Sequence, residues 1–384
     1  MNVHDNRFEW RDLAFINASQ AAALEGVSVE RDDVLLNITG ASVARCCSVP
    51  VTALPARVNQ HVAILRANRA KAIGKFIEYV LTSPHGKSRL LGIAHGGATR
   101  EALTKAALER FTIPLPPLPL QCKITAILSA FDDLIENNNR RIKLLDEMAQ
   151  RIYREWFVDL RYPGHENVPL VDSALGRIPQ GWTPRTLGES CSLMQAGGTP
   201  SRGNPAYWTD GTVDWFTTTE LKDGFLLASA ERVTDLAVIE RKTRVFPSGA
   251  VLMAIYGASI GRLGILTKEA ACNQAALAMV GREIPQIVLY YMLVDLRAHF
   301  RSIAQGAAQQ NISKQKVAET MVACPPTELC RAADEIMGPL WKQRIVIDRA
   351  TVCLRAARDL LLPRLISGEI DVTDLDIAVP EGVA

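Results

Sequence analysis

The sequence predicts a mixed α/β (α+β) protein, in which two similar globular units are separated by long helices that pair antiparallel as a coiled coil. Three observations lead to this fold class. The chain contains an internal repeat, a long segment without glycine or proline follows the first copy, and a second segment with seven-residue apolar spacing follows the second copy. The predicted order is therefore unit, helix, unit, helix.

The internal repeat defines the two units. Leu35–Arg45 (LLNITGASVAR) returns as Leu252–Arg262 (LMAIYGASIGR). Three shorter matches follow in the same order: Asn59-Gln60 with Asn273-Gln274, Thr104-Lys105 with Ser313-Lys314, and Pro116-Pro117 with Pro325-Pro326. Two similar units held apart predict one ligand with two separated half-sites.

The first helical segment, from Leu120 to Tyr162, contains neither glycine nor proline, and Pro119 and Pro163 are expected to bracket one helix. Apolar residues alternate at spacings of four and three, which is typical of a coiled-coil seam. The seam positions are Ile124, Leu128, Phe131, Ile135, Asn138, Ile142, Leu145, Ala149, Ile152 and Trp156. The polar Asn138 is expected either to fix the register or to mark a solvated kink.

The second helical segment has apolar residues seven apart at Leu340, Ile347, Leu354 and Leu361. Gly338-Pro339 is expected to break or kink this helix. Two seams, one per copy, most simply pack as an antiparallel pair that sets the distance between the units. The alternative for each seam is an ordinary amphipathic core helix.

Short β-rich runs such as Ala250–Ile255, together with a helical stretch at Pro285–Ile303, predict a mixed α/β fold for the second unit. The predicted divisions are 1–116 (first unit), 117–160 (central helix), 161–177 (linker), 178–325 (second unit), 326–368 (distal helix) and 369–384 (tail).

The composition limits the possible classes of protein. A chain of 384 residues with 48% hydrophobic content can support two cores. No leader-like start or apolar run of the ~20 residues needed to span a bilayer is visible, so a cytoplasmic protein is expected. The eight cysteines form no CxxC pair and are expected to be reduced thiols, with no metal site. A net charge of +2 means that nucleic-acid binding would need local basic patches.

Catalytic motifs are nearly absent from the sequence. Asn204–Tyr207 (NPAY) is close to the tetrad with which adenine methyltransferases hold a flipped base, but no glycine-rich cofactor loop precedes it. Gly257, Gly261 and Gly264 follow a predicted strand in the wrong order for a dinucleotide site, and a tight backbone turn explains them better. We therefore expect no catalytic residue in this chain.

The order of several short segments resembles the specificity subunit of a Type I restriction–modification system. The segments are Ile113–Leu120 (IPLPPLPL), Tyr153–Pro163 (YREWFVDLRYP), Ile178–Leu187 (IPQGWTPRTL), Gly197–Trp208 (GGTPSRGNPAYW), Gly257–Arg262 (GASIGR) and Leu361–Asp371 (LLPRLISGEID). The resemblance implies two target-recognition domains, each reading one half of a split DNA sequence. It also implies helices that dock methyltransferase subunits and set the gap between the half-sites.

The same resemblance implies double-stranded DNA, two methyltransferase subunits and, through them, motor-nuclease subunits as partners. S-adenosylmethionine, ATP and magnesium would belong to those partners, and this chain would direct methylation and cleavage without performing either. Two alternatives remain open: a defective or regulatory subunit that binds methyltransferases without reading DNA, and a small adenine methyltransferase that uses NPAY.

The first unit departs from the family pattern, because nothing in it matches the opening at Ile178–Phe216 of the second unit. Its N-terminal part is expected to be missing, with Met1 corresponding to a position near residue 220. A truncated gene, a late start codon and a recombined cassette all remain possible explanations. The second unit, which has its opening, is expected to carry more of the DNA reading.

The candidate DNA contacts are polar residues at strand ends and turns, most of which recur in both copies. They are Thr39, Ser42, Arg45, Asn59, Gln60, Thr99 and Arg100 in the first unit, and Tyr256, Ser259, Arg262, Gln274, Gln309, Gln310 and Asn311 in the second. Candidate basic surfaces consist of Arg31, Arg45, Arg57, Arg66, Arg69, Lys71 and Lys75, and of Arg232, Arg241, Lys242, Arg244, Arg262 and Lys268.

Overall fold

The structure is a computed structural model that describes residues 2–95, 102–305 and 310–380. The chain divides into two compact units. The first consists of Met1–Asn139 with Thr351–Ala384, and the second of Arg140–Ala350. Each long helix therefore contributes residues to both units, whereas the sequence predicted the helices as segments separate from the globular units.

The first unit is built on a three-stranded antiparallel sheet, in the order β5-β4-β7, with the central strand fully buried. Its strands are β1 (Val3–His4), β2 (Arg7–Phe8), β3 (Ser28–Val29), β4 (Val34–Asn37), β5 (Cys46–Ser48), β6 (Ala56–Arg57) and β7 (Val62–Leu65). Its helices are α1 (Ala18–Ala23), α2 (Gly74–Thr82), α3 (Pro84–His95), α4 (Lys105–Glu109) and the start of α5 (Leu118–Tyr153).

The second unit contains a five-stranded sheet, in the order β11-β19-β16-β17-β13, and a four-stranded sheet, in the order β14-β12-β18-β15. Its strands are β8 (Leu170–Ser173), β9 (Gly176–Pro179), β10 (Thr183–Thr186), β11 (Cys191–Ala196), β12 (Val213–Phe216), β13 (Gly224–Leu226), β14 (Glu231–Val233), β15 (Val245–Phe246), β16 (Val251–Ala254), β17 (Leu263–Leu266), β18 (Ala270–Cys272), β19 (Ala276–Gly281) and β20 (Met321–Cys324). Its helices are α6 (Asp235–Ile239), α7 (Gln286–Asp295), α8 (Arg297–Ser302), α9 (Lys314–Ala318) and part of α10 (Thr327–Ser367).

The repeat corresponds to one shared substructure. In the first unit β4 lies between β5 and β7, and in the second β16 lies between β17 and β19, all antiparallel. Short helices α4 and α9 follow in matching places, and each is capped by a hydroxyl side chain, Thr104 or Ser313, that accepts a hydrogen bond from the helix backbone. The predicted mixed α/β fold with a repeated core and long helices is confirmed.

The central helix differs from its prediction at both ends. Pro119 lies inside the first turn of α5, where a proline is tolerated because its missing N–H would have no helical partner. After Tyr153 the helix continues as a π-helical turn, Arg154–Val158, and the chain then turns at Leu160, whose φ is +60°. Every predicted seam position of α5 is buried or half-buried, whereas Leu134, Leu144 and Met148 are exposed.

The distal helix was expected to break or kink at Gly338-Pro339, and the break is corrected by the structure, in which α10 runs as one helix from Thr327 to Ser367. Pro339 removes one backbone donor, but the buried Ala333 and Met337 anchor the preceding turns in the core of the second unit. Ile347 is buried and Leu340, Leu354 and Leu361 are half-buried. Polar Arg344 and Thr351 are also buried, which the apolar spacing did not predict.

Ion pairs join α5 and α10 within each unit. In the first unit Arg358 Nη1 lies 2.7 Å from Asp132 Oδ1, and Arg355 Nη2 donates to Asn139 Oδ1 at 3.3 Å. In the second unit Arg344 Nε lies 2.9 Å from Asp146 Oδ1. Residue numbers rise along α5 as they fall along α10, so the pairing is antiparallel, as predicted.

Candidate nucleic-acid interface

The two Gly-Ala-Ser motifs form matching 3-10 turns at the ends of the central strands. The first turn, Gly40–Ser42, follows β4, and the second turn, Gly257–Ser259, follows β16. Each turn contains two residues with positive φ, Gly40 (+72°) with Ala44 (+66°), and Gly257 (+63°) with Gly261 (+80°). Positive φ is normally a glycine conformation, which explains Gly257 and Gly261 without a nucleotide site.

The backbone hydrogen bonds of the two turns are also the same. Ala44 N donates to Asn37 O at 2.8 Å, and Asn37 N donates to Arg45 O at 2.9 Å. In the second copy Gly261 N donates to Ala254 O and Ala254 N donates to Arg262 O, both at 2.9 Å. The sequence repeat therefore corresponds to a repeated backbone turn in the structure.

Around the first turn, three of the predicted contact residues meet at His61, which the sequence analysis did not select. The Thr39 hydroxyl lies 2.8 Å from His61 Nδ1, and Gln60 Nε2 lies 3.4 Å from His61 Nε2. Asn59 Oδ1 accepts a hydrogen bond from His61 N at 3.0 Å. Asn59, Gln60 and His61 are exposed, so these side chains form a small polar surface beside the turn.

Ser42 and Arg45 have different environments. Ser42 is 3% exposed, so it lies beneath the turn and not on a surface, and its hydroxyl has no hydrogen-bond partner among the described residues. Arg45 is half-buried, and among those same residues its guanidinium makes no ion pair. Within the described part of the chain, Arg45 is thus a cation at the turn without an acidic partner.

Around the second turn, Tyr256 and Asn311 form an isolated β-bridge, and Gln310 O accepts a hydrogen bond from Gly257 N at 2.8 Å. The Ser259 hydroxyl donates to Tyr256 O at 2.9 Å. Tyr256 is 38% exposed, and Gln310 and Asn311 are exposed as well. Four predicted contact residues therefore come together here.

The two remaining predicted residues of the second unit that the structure describes already have partners. Gln274 is exposed, and its side-chain oxygen accepts a hydrogen bond from the Thr199 hydroxyl. Arg262 Nη1 lies 2.6 Å from Asp223 Oδ2. Thr99, Arg100 and Gln309 lie outside the described residues.

Each turn is also held by an acid and a base that the sequence analysis missed. In the first unit Lys87 Nζ lies 2.8 Å from both carboxylate oxygens of Asp5 and donates to Ala44 O at 2.7 Å. In the second, Arg297 Nη2 lies 2.5 Å from Asp223 Oδ1, and Arg297 Nε donates to Gly261 O at 2.8 Å. We call these arrangements the first clasp and the second clasp.

The predicted basic surfaces are largely neutralised by acids of the same unit. Most of their members make ion pairs: Arg31 with Asp32, Arg57 with Glu25, Arg66 with Glu30 and Asp33, Arg69 with Asp32, Lys75 with Glu78, Arg232 and Lys268 with Asp214, and Arg262 with Asp223. Arg45, Lys71, Arg241, Lys242 and Arg244 make no such pair within the described ranges. These unpaired cations are the better candidates for phosphate contacts.

The remaining chemical motifs serve the fold. Asn204 caps the turn Pro205–Tyr207 by accepting a hydrogen bond from Ala206 N, and the buried Tyr207 donates its hydroxyl hydrogen to Glu240 at 2.6 Å. Six of the eight cysteines are buried, and burial raises the pKa of Cys272 to about 12. Across 2–95, 102–305 and 310–380 no cluster of histidine, cysteine or acidic side chains is arranged to hold a metal ion. In the same ranges no helix is both long and apolar enough to cross a membrane.

Comparison with known proteins agrees with this repeated architecture. The chain is 25% identical to the Type I restriction enzyme MjaIX specificity subunit of Methanocaldococcus jannaschii over 303 residues, which cover 77% of this chain and 69% of that one. It is 18% identical to the HindI specificity subunit of Haemophilus influenzae, with 80% of each chain covered. The crystal structure of the Type I restriction–modification S subunit from M. genitalium superposes with a TM-score of 0.54 at 17% identity, covering 87% of this chain and 83% of that one.

The family profile described as "Type I restriction modification DNA specificity domain" matches the chain twice, at residues 26–147 and 179–337. The two matches contain the first and second turns and their sheets. Together they span well over half of the sequence, and the chain belongs to the family of Type I restriction–modification DNA specificity domains.

Proposed function

We propose that this chain is the DNA sequence-recognition subunit of a Type I restriction–modification complex and that it reads a target in two parts. The observation that carries the proposal is the duplicated turn, which has the same backbone hydrogen bonds in two separate compact units. A repeated site predicts a repeated ligand feature, and the two half-sites of a split DNA sequence provide it. On this proposal the chain works in the cytoplasm, where it meets DNA.

The proposed base contacts are the half-buried Thr39 and the exposed polar side chains at each turn. In the first unit these are Thr39, Asn59 and Gln60, which meet at His61. In the second they are Tyr256, Gln274, Gln310 and Asn311. Amide and hydroxyl groups suit this role because they both donate and accept hydrogen bonds at base edges. Arg45 is proposed as a phosphate contact, since it lies where the turn returns to the sheet and makes no ion pair within the described ranges. Arg262 has the same position in the second unit and is proposed as a weaker phosphate contact, because Asp223 already pairs with it.

Two methyltransferase subunits, and motor-nuclease subunits bound through them, are the proposed protein partners. Exposed apolar residues on the long helices support a protein-binding surface. They are Leu134, Leu144, Met148, Ile336, Val346, Val352 and Leu360. S-adenosylmethionine, ATP and magnesium would be bound by those partners, and this chain would supply sequence reading without catalysis.

The test is genome-wide mapping of methylated adenines by long-read sequencing, in the host with the gene and in a deletion strain. We expect a motif of two short half-sites with an unspecified spacer that disappears on deletion and returns on complementation. A catalytically inactive methyltransferase partner is the matched control and should abolish the same motif. Identical methylation maps with and without the gene would contradict the proposal, and a continuous motif without a spacer would contradict the two-part reading.

A further inference from the structure

The two clasps have the same design although their residues differ. In each, a carboxylate accepts a hydrogen bond from the backbone N–H of the first residue of the strand after the turn: Asp5 Oδ1 from Cys46 N at 3.2 Å, and Asp223 Oδ1 from Leu263 N at 3.1 Å. The backbone beside each acid donates back, from Asn6 N to Cys46 O at 3.0 Å and from Asp223 N to Leu263 O at 2.9 Å. The acid is therefore fixed to the same strand position in both units.

The base of each clasp is supplied by a helix and not by the segment that carries the acid. Lys87 lies on α3 and Arg297 begins α8, and each helix follows the helix that packs beside the central sheet. Each base joins the carboxylate to one carbonyl, that of Ala44 or Gly261. That carbonyl belongs to the residue with positive φ at which the turn re-enters the sheet. The base of each clasp therefore donates to the carbonyl of the positive-φ residue, whose backbone conformation is the least favourable in the turn, and stabilises that conformation.

The stem of the base also determines which residue fits at the positive-φ position. A Cβ added to Gly261 would lie 2.7 Å from Arg297 Cγ, well inside van der Waals contact. The first clasp has a lysine, and there Ala44 is accommodated fully buried. Because arginine and lysine share Cγ, the placement of the stem, and not the type of base, decides whether a methyl group fits at the positive-φ position.

We infer that the clasps are positioning devices that set the geometry of each DNA-reading turn, so that Asp5 and Lys87 determine selectivity at one half-site and Asp223 and Arg297 at the other. This inference rests on the proposed function. The reason is geometric, since a base contact needs donors and acceptors placed to within a fraction of an ångström, and the turn carries them. Asp223 and Arg297 side chains are both mostly shielded from water, which strengthens their ion pair relative to an exposed one.

The experiment uses the full chain in complex with its methyltransferase partner. The complex methylates a DNA library in which both half-sites are randomised, and sequencing gives the base preference at every position. Asp223→Asn should reduce discrimination roughly tenfold at the positions of one half-site, in the range of one lost base contact, and leave the other half-site unchanged. Asp5→Asn should produce the mirror result.

Two further variants separate positioning from general stability. Arg297→Lys keeps the cation, as in the first clasp, and should retain the discrimination that Arg297→Gln loses. Arg185→Gln breaks the exposed pair with Glu283 in the same unit and should leave both half-sites unchanged. A merely structural role would instead weaken both half-sites together, in step with a lower melting temperature, and would overturn the inference.

The remaining outcomes distinguish the inference from the function on which it rests. A wild-type complex with a defined motif and clasp variants with the same motif would overturn the positioning role alone. A wild-type complex without any defined motif would overturn the proposed function, and the positioning role with it.

Discussion

The first and second turns share a backbone but differ in charge. In both, a positive-φ residue returns the chain to the sheet through the same hydrogen bonds. In the second, Asp223 pairs with both Arg262 and Arg297, whereas in the first Asp5 pairs with Lys87, and Arg45 has no acidic partner among the described residues. The geometry of the turn has thus been kept while the charge available to a ligand differs.

The units also differ in what surrounds the shared core. Beside its turn-bearing sheet, the second unit has the four-stranded sheet β14-β12-β18-β15, in which Trp215 is 2% exposed and donates its indole hydrogen to Gly198 O at 2.9 Å. In the described part of the first unit, the strand pair β3-β6 occupies the corresponding place in the chain order. The same turn can therefore be built on scaffolds of different size.

The prediction with the largest expected effect asks whether the four-stranded sheet β14-β12-β18-β15 stabilises the second unit without affecting the first. Trp215→Ala should destabilise the second unit by ~3–5 kcal/mol, because it opens a cavity among Tyr207, Val233 and Ala271. Hydrogen exchange resolved by peptide should show lost protection in the second unit and unchanged protection in β4, β5 and β7. Trp10→Ala, which removes a half-exposed tryptophan, is the control and should cost little. Equal loss of protection in both units would show that the scaffolds are not separate.

A smaller effect tests the packing of the clasps. Gly261→Ala should destabilise the second unit by ~1–3 kcal/mol, because its Cβ meets the stem of Arg297 and φ is +80°. Ala44→Gly should change stability by less than ~1 kcal/mol, since no contact of that kind is relieved. Urea unfolding gives the change in stability of each variant, and hydrogen exchange resolved by peptide shows which unit is affected. In the background of Arg297→Ala, which removes Cγ, adding Gly261→Ala should cost less stability than it does in the wild-type protein. An equal cost in both backgrounds would contradict the packing explanation.

The charge difference can be sharpened by the salt dependence of DNA binding. Arg45→Ala should lower the slope of log affinity against log salt by about one, the value for one phosphate contact. Arg262→Ala should lower it by less, because Asp223 already neutralises that guanidinium. The sequence alone favoured Arg262, since its unit has the complete opening. The measurement is the affinity of the reconstituted complex for its own DNA motif at several salt concentrations, with Arg185→Ala as the control. Equal decreases of the slope in Arg45→Ala and Arg262→Ala would contradict the charge difference.

The prediction with the smallest expected effect concerns how stability depends on pH through the contact between α5 and α10 in the second unit. Burial, with a further contribution from Asp348, raises the pKa of Asp146 to about 6, and Arg344 offsets this only in part. Because the folded pKa exceeds the ordinary value of 3.8, the folded state binds more protons between those values. Stability should therefore fall as pH rises from about 4 to about 6. Asp146→Asn should remove that part of the pH dependence in thermal unfolding, and an unchanged profile would contradict the assignment.

The sequence predicted features that depend on local pattern. The repeat, the mixed α/β class and the antiparallel helices follow from short motifs and apolar spacing, which act along one segment at a time. Of the two effects predicted at Gly338-Pro339, a break or a kink, the break was wrong, because packing of Met337 on the core outweighs the local effect of one proline. Buried Arg344 was also missed, since its partner Asp146 lies on the other helix.

The site was predictable only in part, for the same reason. Thr39, Asn59 and Gln60 were chosen as parts of recurring strings, and the structure brings them together at His61. The clasps carry no such signal. Asp5 and Asp223, like Lys87 and Arg297, are distant from the turn in the chain, and lysine replaces arginine between the copies. Because the base of the clasp is a different residue type in each copy, the sequence repeat contains no shared motif that would have indicated the contact.

The close approach of Arg297 to Gly261 also constrains the order in which related sequences can diverge. Arginine and lysine share the Cγ atom that would lie 2.7 Å from a Cβ added at position 261, so alanine there is disfavoured beside either base. A change at position 297 to a residue without Cγ should therefore come before alanine is accepted at position 261. Among homologous sequences, alanine at position 261 should occur mainly together with a residue that has no Cγ at position 297.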